Sequence, residues 1–318
     1  MSKQYNSALQ AKVRQYIKET GLSQAKVAPM LGMSGTLLSQ YLSSKYPGDV
    51  AAQEQKLEEF FRAQVEKVSN AQKAMQFQPV KGYIPISVSE DVYKMIRYAQ
   101  IEKGMVVIHG DAGIGKSKAA HKFEADNPTA TVYIQTSPAT GTLREVLRSL
   151  ARELKLADNL RTGDLTRAVR AKLAEGRKVV IIDEAQHLNY KALEELTRWP
   201  DPERHTGEAE IALVLMGNTE VYSRMRGRQE AAFACQFNRM RLPKCYHTTD
   251  IQREDVEKLF PFLGDQGLTR ETEFLLGICR SKWGVRGAVN VYNNAVNNED
   301  ISYNGLYSMA RTMGIGLV

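Results

Sequence analysis

The sequence contains few cysteines and no long apolar run, and each absence excludes a class of protein. Its 318 residues include three cysteines without a C-x-x-C spacing, and its five histidines form no ligand cluster. Neither a disulfide framework nor a zinc site is therefore predicted. No apolar stretch approaches the roughly 18 residues that a membrane-spanning helix needs. Because the polar start also lacks the apolar core of a signal peptide, we expect a cytoplasmic protein without membrane contact.

Composition and charge indicate a globular protein that has a polyanionic partner. Hydrophobic residues make up 43% and charged residues 25% of a chain whose length suits two or three domains. The formal net charge is +7, which favours nucleic acid as a partner.

A glycine-rich loop is the most informative feature of the chain. The residues that match G-x-x-x-x-G-K-[ST] in full are Gly110, Asp111, Ala112, Gly113, Ile114, Gly115, Lys116 and Ser117. An apolar run precedes the loop and a helix-compatible stretch follows it, which is the strand–loop–helix context of a phosphate site. In such a loop backbone N–H groups surround phosphate oxygens, the lysine reaches the outer phosphates and the hydroxyl holds Mg²⁺. We therefore predict that ATP and Mg²⁺ bind here.

Polar residues also follow two other predicted strands. Asp183 and Glu184 come directly after the apolar run 179–182, where ligands of parallel sheets gather. An aspartate there holds Mg²⁺, and the next glutamate activates the attacking water. Asn218 follows the apolar run 213–216 and is predicted to contact the γ-phosphate or the water. The alternatives are solvated acids at a strand end and, for Asn218, a simple helix cap.

Alternating apolar and helical patterns predict an α/β fold with a parallel sheet and flanking helical parts. The predicted strands are Met105–His109, Thr131–Thr136, Lys178–Ile182, Ile211–Met216 and Lys244–His247. The expected domains are a helix-turn-helix domain at 1–65, a linker at 66–82, an ATPase core at 83–249 and a helical domain at 250–318.

In the N-terminal domain three predicted helices, 9–20, 23–32 and 35–44, have the pattern of a helix-turn-helix, although Pro29 is awkward inside the second. Direct contacts to DNA would come from the start of the third helix, through Ser34, Thr36 and Gln40. No arginine lies on that face, so binding to a protein is the alternative.

The nucleotide motifs resemble those of the AAA+ ATPases. Residues 110–117 are similar to Walker A, Asp183 and Glu184 to Walker B, and Asn218 to sensor 1. The segment 283–290 is similar to the sensor 2 segment, which implies that Arg286 senses phosphate. The resemblance also implies an arginine finger supplied by a neighbouring subunit. Arg239 is our choice, and the competing candidates are Arg224, Arg226, Arg228 and Arg241.

The order of the parts resembles the transposition protein B family of Mu-like phages, the target-selection ATPases of these elements. The resemblance implies an ATP-dependent helical filament, a homo-oligomer, on double-stranded DNA with little sequence preference. It also implies delivery of that DNA to a transposase, which in turn stimulates hydrolysis. Contacts to DNA in this group come from the segment after the second strand, where the candidates here are Thr140, Thr142, Arg144, Arg148, Lys155 and Arg161.

Two other functions share the nucleotide motifs. A helicase loader of the AAA+ type engages a hexameric helicase and single-stranded DNA. A helix-turn-helix transcriptional regulator would use the nucleotide domain as a switch, and it would bind a defined operator with tight sequence preference. The nearly neutral recognition helix argues mildly against the regulator.

Overall fold

The computed structural model describes residues 5–62, 78–176, 178–200, 210–226 and 240–316. Contacts between Cα atoms divide the chain into two compact units, residues 1–77 and residues 78–318. Most of the predicted linker, residues 66–82, lies outside the described residues. The predicted separation of a helical domain at residue 250 stays a prediction, because the second unit includes both the sheet and the C-terminal helices.

The first unit is a small helical bundle. Its elements are α1 (Ser7–Thr20), α2 (Gln24–Val27), a 3₁₀ helix (Ala28–Leu31), α3 (Gly35–Leu42) and α4, which is described over residues 50–62. Asn6 caps α1 by accepting the N–H of Leu9, and Ser34 caps α3 by accepting the N–H of Leu37. Fully buried Val13, Leu38 and Leu57 form part of the core.

The predicted second helix, 23–32, is shorter and divided. α2 ends at Val27, and Pro29 lies in the first turn of the 3₁₀ helix that follows. Proline has no N–H to donate and is tolerated in a first turn but not in a helix interior. Gly32, at a φ of 69°, ends the 3₁₀ helix.

The second unit contains a parallel five-stranded sheet, which confirms the predicted α/β fold. The strands are β1 (Met105–Gly110), β2 (Thr131–Gln135), β3 (Val179–Asp183), β4 (Ala212–Met216) and β5 (Met240–Tyr246). Their order is β2-β3-β4-β1-β5, so β4 lies between the two strands that carry the nucleotide motifs. β1, β3 and β4 are buried throughout, as their apolar runs predict.

The predicted start of the last strand is wrong by four residues, because β5 begins at Met240 and not at Lys244. β5 lies at the edge of the sheet and most of its residues are not buried. An edge strand therefore lacks the continuous apolar run by which the central strands are recognised.

One helix precedes β1, and others follow the strands and pack around the sheet. They are α5 (Ser87–Glu102), α6 (Lys116–Asp126), α7 (Leu143–Glu153), α8 (Thr162–Glu175), α9 (Tyr190–Leu196) and α10 (Thr219–Arg226). The C-terminal region is helical, as predicted, with α11 (Arg253–Leu259), α12 (Pro261–Asp265), α13 (Thr269–Cys279), α14 (Gly284–Asn297) and α15 (Tyr303–Thr312). Within the described ranges, no helix is long and apolar enough to cross a membrane.

Candidate nucleotide-binding site

The phosphate loop, residues 110–117, connects β1 to α6 through backbone conformations that favour glycine. Gly110, Gly113 and Gly115 have φ angles of 128°, 75° and 101°, a region that other residues rarely adopt. At Gly110 a Cβ atom would lie 1.9 Å from the carbonyl oxygen of Tyr246 on β5. The loop therefore needs glycine both to turn and to pass the neighbouring strand, and it ends at the positive end of the α6 dipole.

Lys116 places a buried positive charge inside this loop. Its side chain is 9% exposed, and Nζ donates hydrogen bonds to the carbonyl oxygens of Gly110 at 3.0 Å and Asp111 at 2.6 Å. Burial lowers the pKa of Lys116, while the charges of Asp183 and Glu184 act in the opposite direction. The ammonium group is thus held by polar backbone groups that a bound phosphate can replace.

The acid pair lies at the carboxyl end of β3. Asp183 is 2% exposed, and its carboxylate accepts hydrogen bonds from the Glu184 N–H at 2.8 Å and the Tyr133 hydroxyl at 2.9 Å. Burial, together with the charge of Asp183, raises the pKa of Tyr133. The Thr136 hydroxyl donates to the main-chain oxygens of Asp183 and Glu184 at 3.1 and 2.9 Å. These hydrogen bonds therefore connect the end of β2 to the end of β3 at the two residues that carry the carboxylates.

Asn218 lies just after the end of β4, where both the predicted place beside the phosphates and the alternative role as a helix cap apply. Its Oδ1 accepts the N–H of Glu220 at 2.9 Å, so the side chain caps the start of α10. The same residue lines the cavity that the acid pair lines. A role as a helix cap and a position beside the phosphates are thus compatible.

The start of α14 packs directly on the phosphate loop. The Arg286 N–H donates to the Gly113 carbonyl at 3.0 Å. At Gly284, where φ is 60°, a Cβ atom would lie 2.8 Å from the carbonyl oxygen of Ala112. The glycines thus permit a backbone-to-backbone approach that brings the exposed Arg286 side chain to the site.

One cavity of about 390 Å³ is lined by most of the residues predicted for the nucleotide site. Those that line it are Gly110, Ala112, Gly113, Ile114, Gly115, Lys116, Ser117, Asp183, Glu184, Asn218 and Arg286. Asp111 is the exception among the loop residues. Its carboxylate accepts the N–H of Thr248 at 2.8 Å and lies 3.8 Å from Nδ1 of His247, so its side chain fastens the loop to the end of β5.

The residues present fit Mg²⁺ bound together with a nucleotide. Among the described residues no group of three or more His, Cys, Asp or Glu could hold a metal ion by itself. Mg²⁺ in nucleotide sites is held by one or two protein groups, water and phosphate oxygens. Ser117 and Asp183 line the same cavity and are the protein groups that such a site requires.

Comparisons with known proteins agree with this geometry. A family model described as an AAA domain matches residues 100–225. The Mu-like prophage FluMu DNA transposition protein B of Haemophilus influenzae is 35% identical over 218 residues, which cover 68% of this chain and 71% of that protein. The chain belongs to the Mu transposition protein B family. The ATP-dependent target DNA activator B of Escherichia phage Mu is 28% identical over 91% of this chain and 87% of its own length.

A solved structure supports the fold of this member of the B family. Cdc6p from Pyrobaculum aerophilum superposes with a TM-score of 0.55 and 14% identity, over 75% of this chain and 70% of that one. At this identity the similarity concerns the fold alone. The core thus has the AAA fold, which implies nucleotide binding.

The choice of a trans-acting arginine stays a prediction. Arg239 and Arg228 lie outside the described residues, as does the side chain of Arg226. Arg224 donates a hydrogen bond to the main-chain oxygen of Gln186 within the same subunit. Arg241 lies against Gly104, where a Cβ atom would meet its Cγ at 2.6 Å, and therefore at the end of β1 opposite the phosphate loop.

Half of the six DNA-contact candidates after β2 have local structural roles. The Thr140 hydroxyl accepts the N–H of Ser137 at 2.9 Å, and Thr142 caps α7. Arg148 pairs with Glu145 at 3.2 Å and has a second carboxylate, that of Asp158, at 3.8 Å. Exposed positive charges remain at Arg144, Lys155 and Arg161.

The helix-turn-helix stays a prediction for the first unit. Ser34 uses its hydroxyl to cap α3, at 3.2 Å from the N–H of Leu37. Thr36 is exposed and Gln40 is partly exposed on the same helix.

Sequence reasoning missed two residues that touch the walls of the cavity. Gln186 is 8% exposed and donates a hydrogen bond to Glu184. Asn293 on α14 holds both polar backbone groups of Val80, accepting its N–H at 2.7 Å and donating to its carbonyl oxygen at 3.2 Å. Gln186 could have been suspected from its position two residues after the acid pair, whereas the pairing of Asn293 with Val80 spans 213 residues and leaves no local signal.

Proposed function

We propose that this protein is an ATPase whose binding to double-stranded DNA depends on ATP and has little sequence preference. It selects target DNA and delivers it to a transposase. The observation that carries the proposal is the single cavity shared by the phosphate loop, the acid pair, Asn218 and Arg286 in a member of the Mu transposition protein B family. The printed name of the phage Mu relative, an ATP-dependent target DNA activator, supports the same role.

In this proposal five side chains take part in the hydrolytic step. Lys116 and the N–H groups of the phosphate loop bind the outer phosphates, and Ser117 and Asp183 hold Mg²⁺, which neutralises phosphate charge when bound. Glu184 accepts a proton from the attacking water, and Asn218 orients that water or the γ-phosphate. All five line one cavity, which supports their assignment to one reaction.

Two arginines complete the proposed site. Arg286 binds phosphate from α14, whose N-terminal turn contacts the phosphate loop through the Gly113 carbonyl. Arg239 of a neighbouring subunit stabilises charge on the transferred phosphoryl group. A site that needs two subunits links ATP binding to assembly, and head-to-tail contacts that do not close generate a helical filament.

DNA binding in this proposal is electrostatic. The net charge of +7 and the exposed side chains of Arg144, Lys155 and Arg161 suit phosphate contacts, which position a protein without reading sequence. DNA and the transposase stimulate hydrolysis, because both engage the assembled state.

Electron microscopy of the protein with unrelated double-stranded DNA, in ATP and in ADP, tests the proposal. Continuous filaments on the DNA are expected with ATP and not with ADP, and the matched variant Lys116→Ala should form none. Discrete particles that bind only single-stranded DNA would point to a helicase loader. Binding at one preferred sequence regardless of nucleotide would point to a transcriptional regulator, and either outcome would refute the proposal.

A further inference from the structure

Gln186 lies where three parts of the candidate site meet. β3 ends at Asp183, and Glu184 turns the chain with a φ of 54° into a 3₁₀ helix over Ala185–His187. Gln186 lies in this 3₁₀ helix and is only 8% exposed. It nevertheless lines the nucleotide cavity together with Glu184 and Asn218.

Both ends of the Gln186 amide are engaged. Nε2 donates to the carboxylate of Glu184, and Oε1 accepts the main-chain N–H of Asn218 at 3.4 Å. A carboxylate can only accept and a backbone N–H can only donate, so these two partners fix which way the amide faces. The main-chain oxygen of Gln186 accepts a further hydrogen bond from Arg224 on α10.

The tip of β4 is shaped to admit this side chain. At Gly217 a Cβ atom would lie 2.3 Å from Oε1 of Gln186, so a larger residue would displace the amide. Gln186 thus connects the carboxyl ends of β3 and β4 and occupies space that is available because residue 217 is a glycine. A buried amide with both ends paired holds its partners at a fixed separation.

We propose that Gln186 is a positioning residue for ATP hydrolysis, which holds the Glu184 carboxylate at the distance from Asn218 that the attacking water requires. The inference depends on the proposed function, in which Glu184 is the base. In this proposal Gln186 acts through its hydrogen bond to Glu184. Misplacement of a reacting group by about 1 Å can slow a reaction on the order of a hundredfold, so the side chain affects turnover far more than binding.

The first experiment measures steady-state ATP hydrolysis and nucleotide affinity for Gln186→Met, which keeps the length of the side chain but cannot donate a hydrogen bond. We expect kcat to fall between about tenfold and a hundredfold, with KM and the Kd for ATP within about twofold of the wild type. Gln186→Glu should lower kcat in the same way, since it places a second carboxylate beside Glu184. The matched control is Gln135→Met, an exposed glutamine at the end of β2 in register with Asp183, which should leave kcat unchanged.

A second comparison separates positioning from a structural role. In a Glu184→Gln background the base is absent, so adding Gln186→Met should cause no further loss of turnover. A further loss in the double variant, an unchanged kcat in Gln186→Met, or a Gln186→Met protein that no longer binds ATP would each overturn the inference. A wild-type protein without ATPase activity would instead refute the proposed function.

Discussion

Lys116→Ala removes the positive charge that the phosphate loop encloses. Lys116 is 9% exposed, and its ammonium group donates to two loop carbonyl oxygens at 3.0 and 2.6 Å. In the proposed complex it exchanges those partners for phosphate oxygens. Its removal also takes away the positive charge that interacts with the carboxylates of Asp183 and Glu184, which line the same cavity.

The expected loss can be worked from these contacts. A hydrogen bond to a charged group contributes about 1.5–3 kcal/mol. Because the site is buried and the remaining acids repel the triphosphate, we take the upper end, about 3 kcal/mol. At roughly 1.4 kcal/mol for each tenfold change, the Kd for ATP should rise more than about a hundredfold.

Titration calorimetry with ATP and Mg²⁺ measures this change, and Lys118→Ala is the matched control. Lys118 lines the same cavity, but it is exposed and donates to the Gly82 carbonyl at 2.8 Å. An exposed charge contributes about 1 kcal/mol or less, so its removal should change Kd by less than about tenfold. Equal effects of the two variants, or a normal Kd in Lys116→Ala, would refute the assignment of the phosphate loop.

Three further substitutions test other parts of the site. Glu184→Gln should bind ATP normally, lower turnover at least about a hundredfold, and prolong the life of the DNA complex in a filter-binding assay; unchanged turnover would exclude Glu184 as the base. Gly284→Ala should raise the Kd for ATP and lower thermal stability, because the left-handed backbone and the contact with the phosphate loop together cost about 1–3 kcal/mol. An unaltered melting temperature and Kd would show that α14 does not need this close approach. Asn293→Ala should weaken ATP binding several-fold with little effect on kcat, since the backbone of Val80 in the cavity wall loses both hydrogen bonds. The matched control in the same titration is Asn298→Ala, an exposed asparagine outside the cavity.

Much of the fold and of the candidate site follows from local patterns in the sequence. A parallel strand that is buried on both faces is apolar along most of its length, so β1, β3 and β4 are recognisable from their sequences. The residues that follow them, the phosphate loop, Asp183 with Glu184, and Asn218, must then meet at one edge of the sheet. Their meeting in one cavity agrees with that expectation.

Contacts between distant segments were decided by the tertiary structure alone. Asp111 belongs to the loop pattern, yet its carboxylate binds the N–H of Thr248, 137 residues away. Over a shorter range, Arg148 is one of a row of basic residues, but in the fold the carboxylates of Glu145 and Asp158 lie beside it.

The sequence by itself therefore determined the fold class, the phosphate loop and the acid pair, because each depends on residues that are neighbours along the chain. Only the tertiary structure decided which side chains hold them in place. Gln186 bridges two strand ends and Asn293 holds Val80 across 213 residues. Such pairings depend on how the elements pack, and a single hydrogen bond between distant residues leaves no periodic pattern in the sequence.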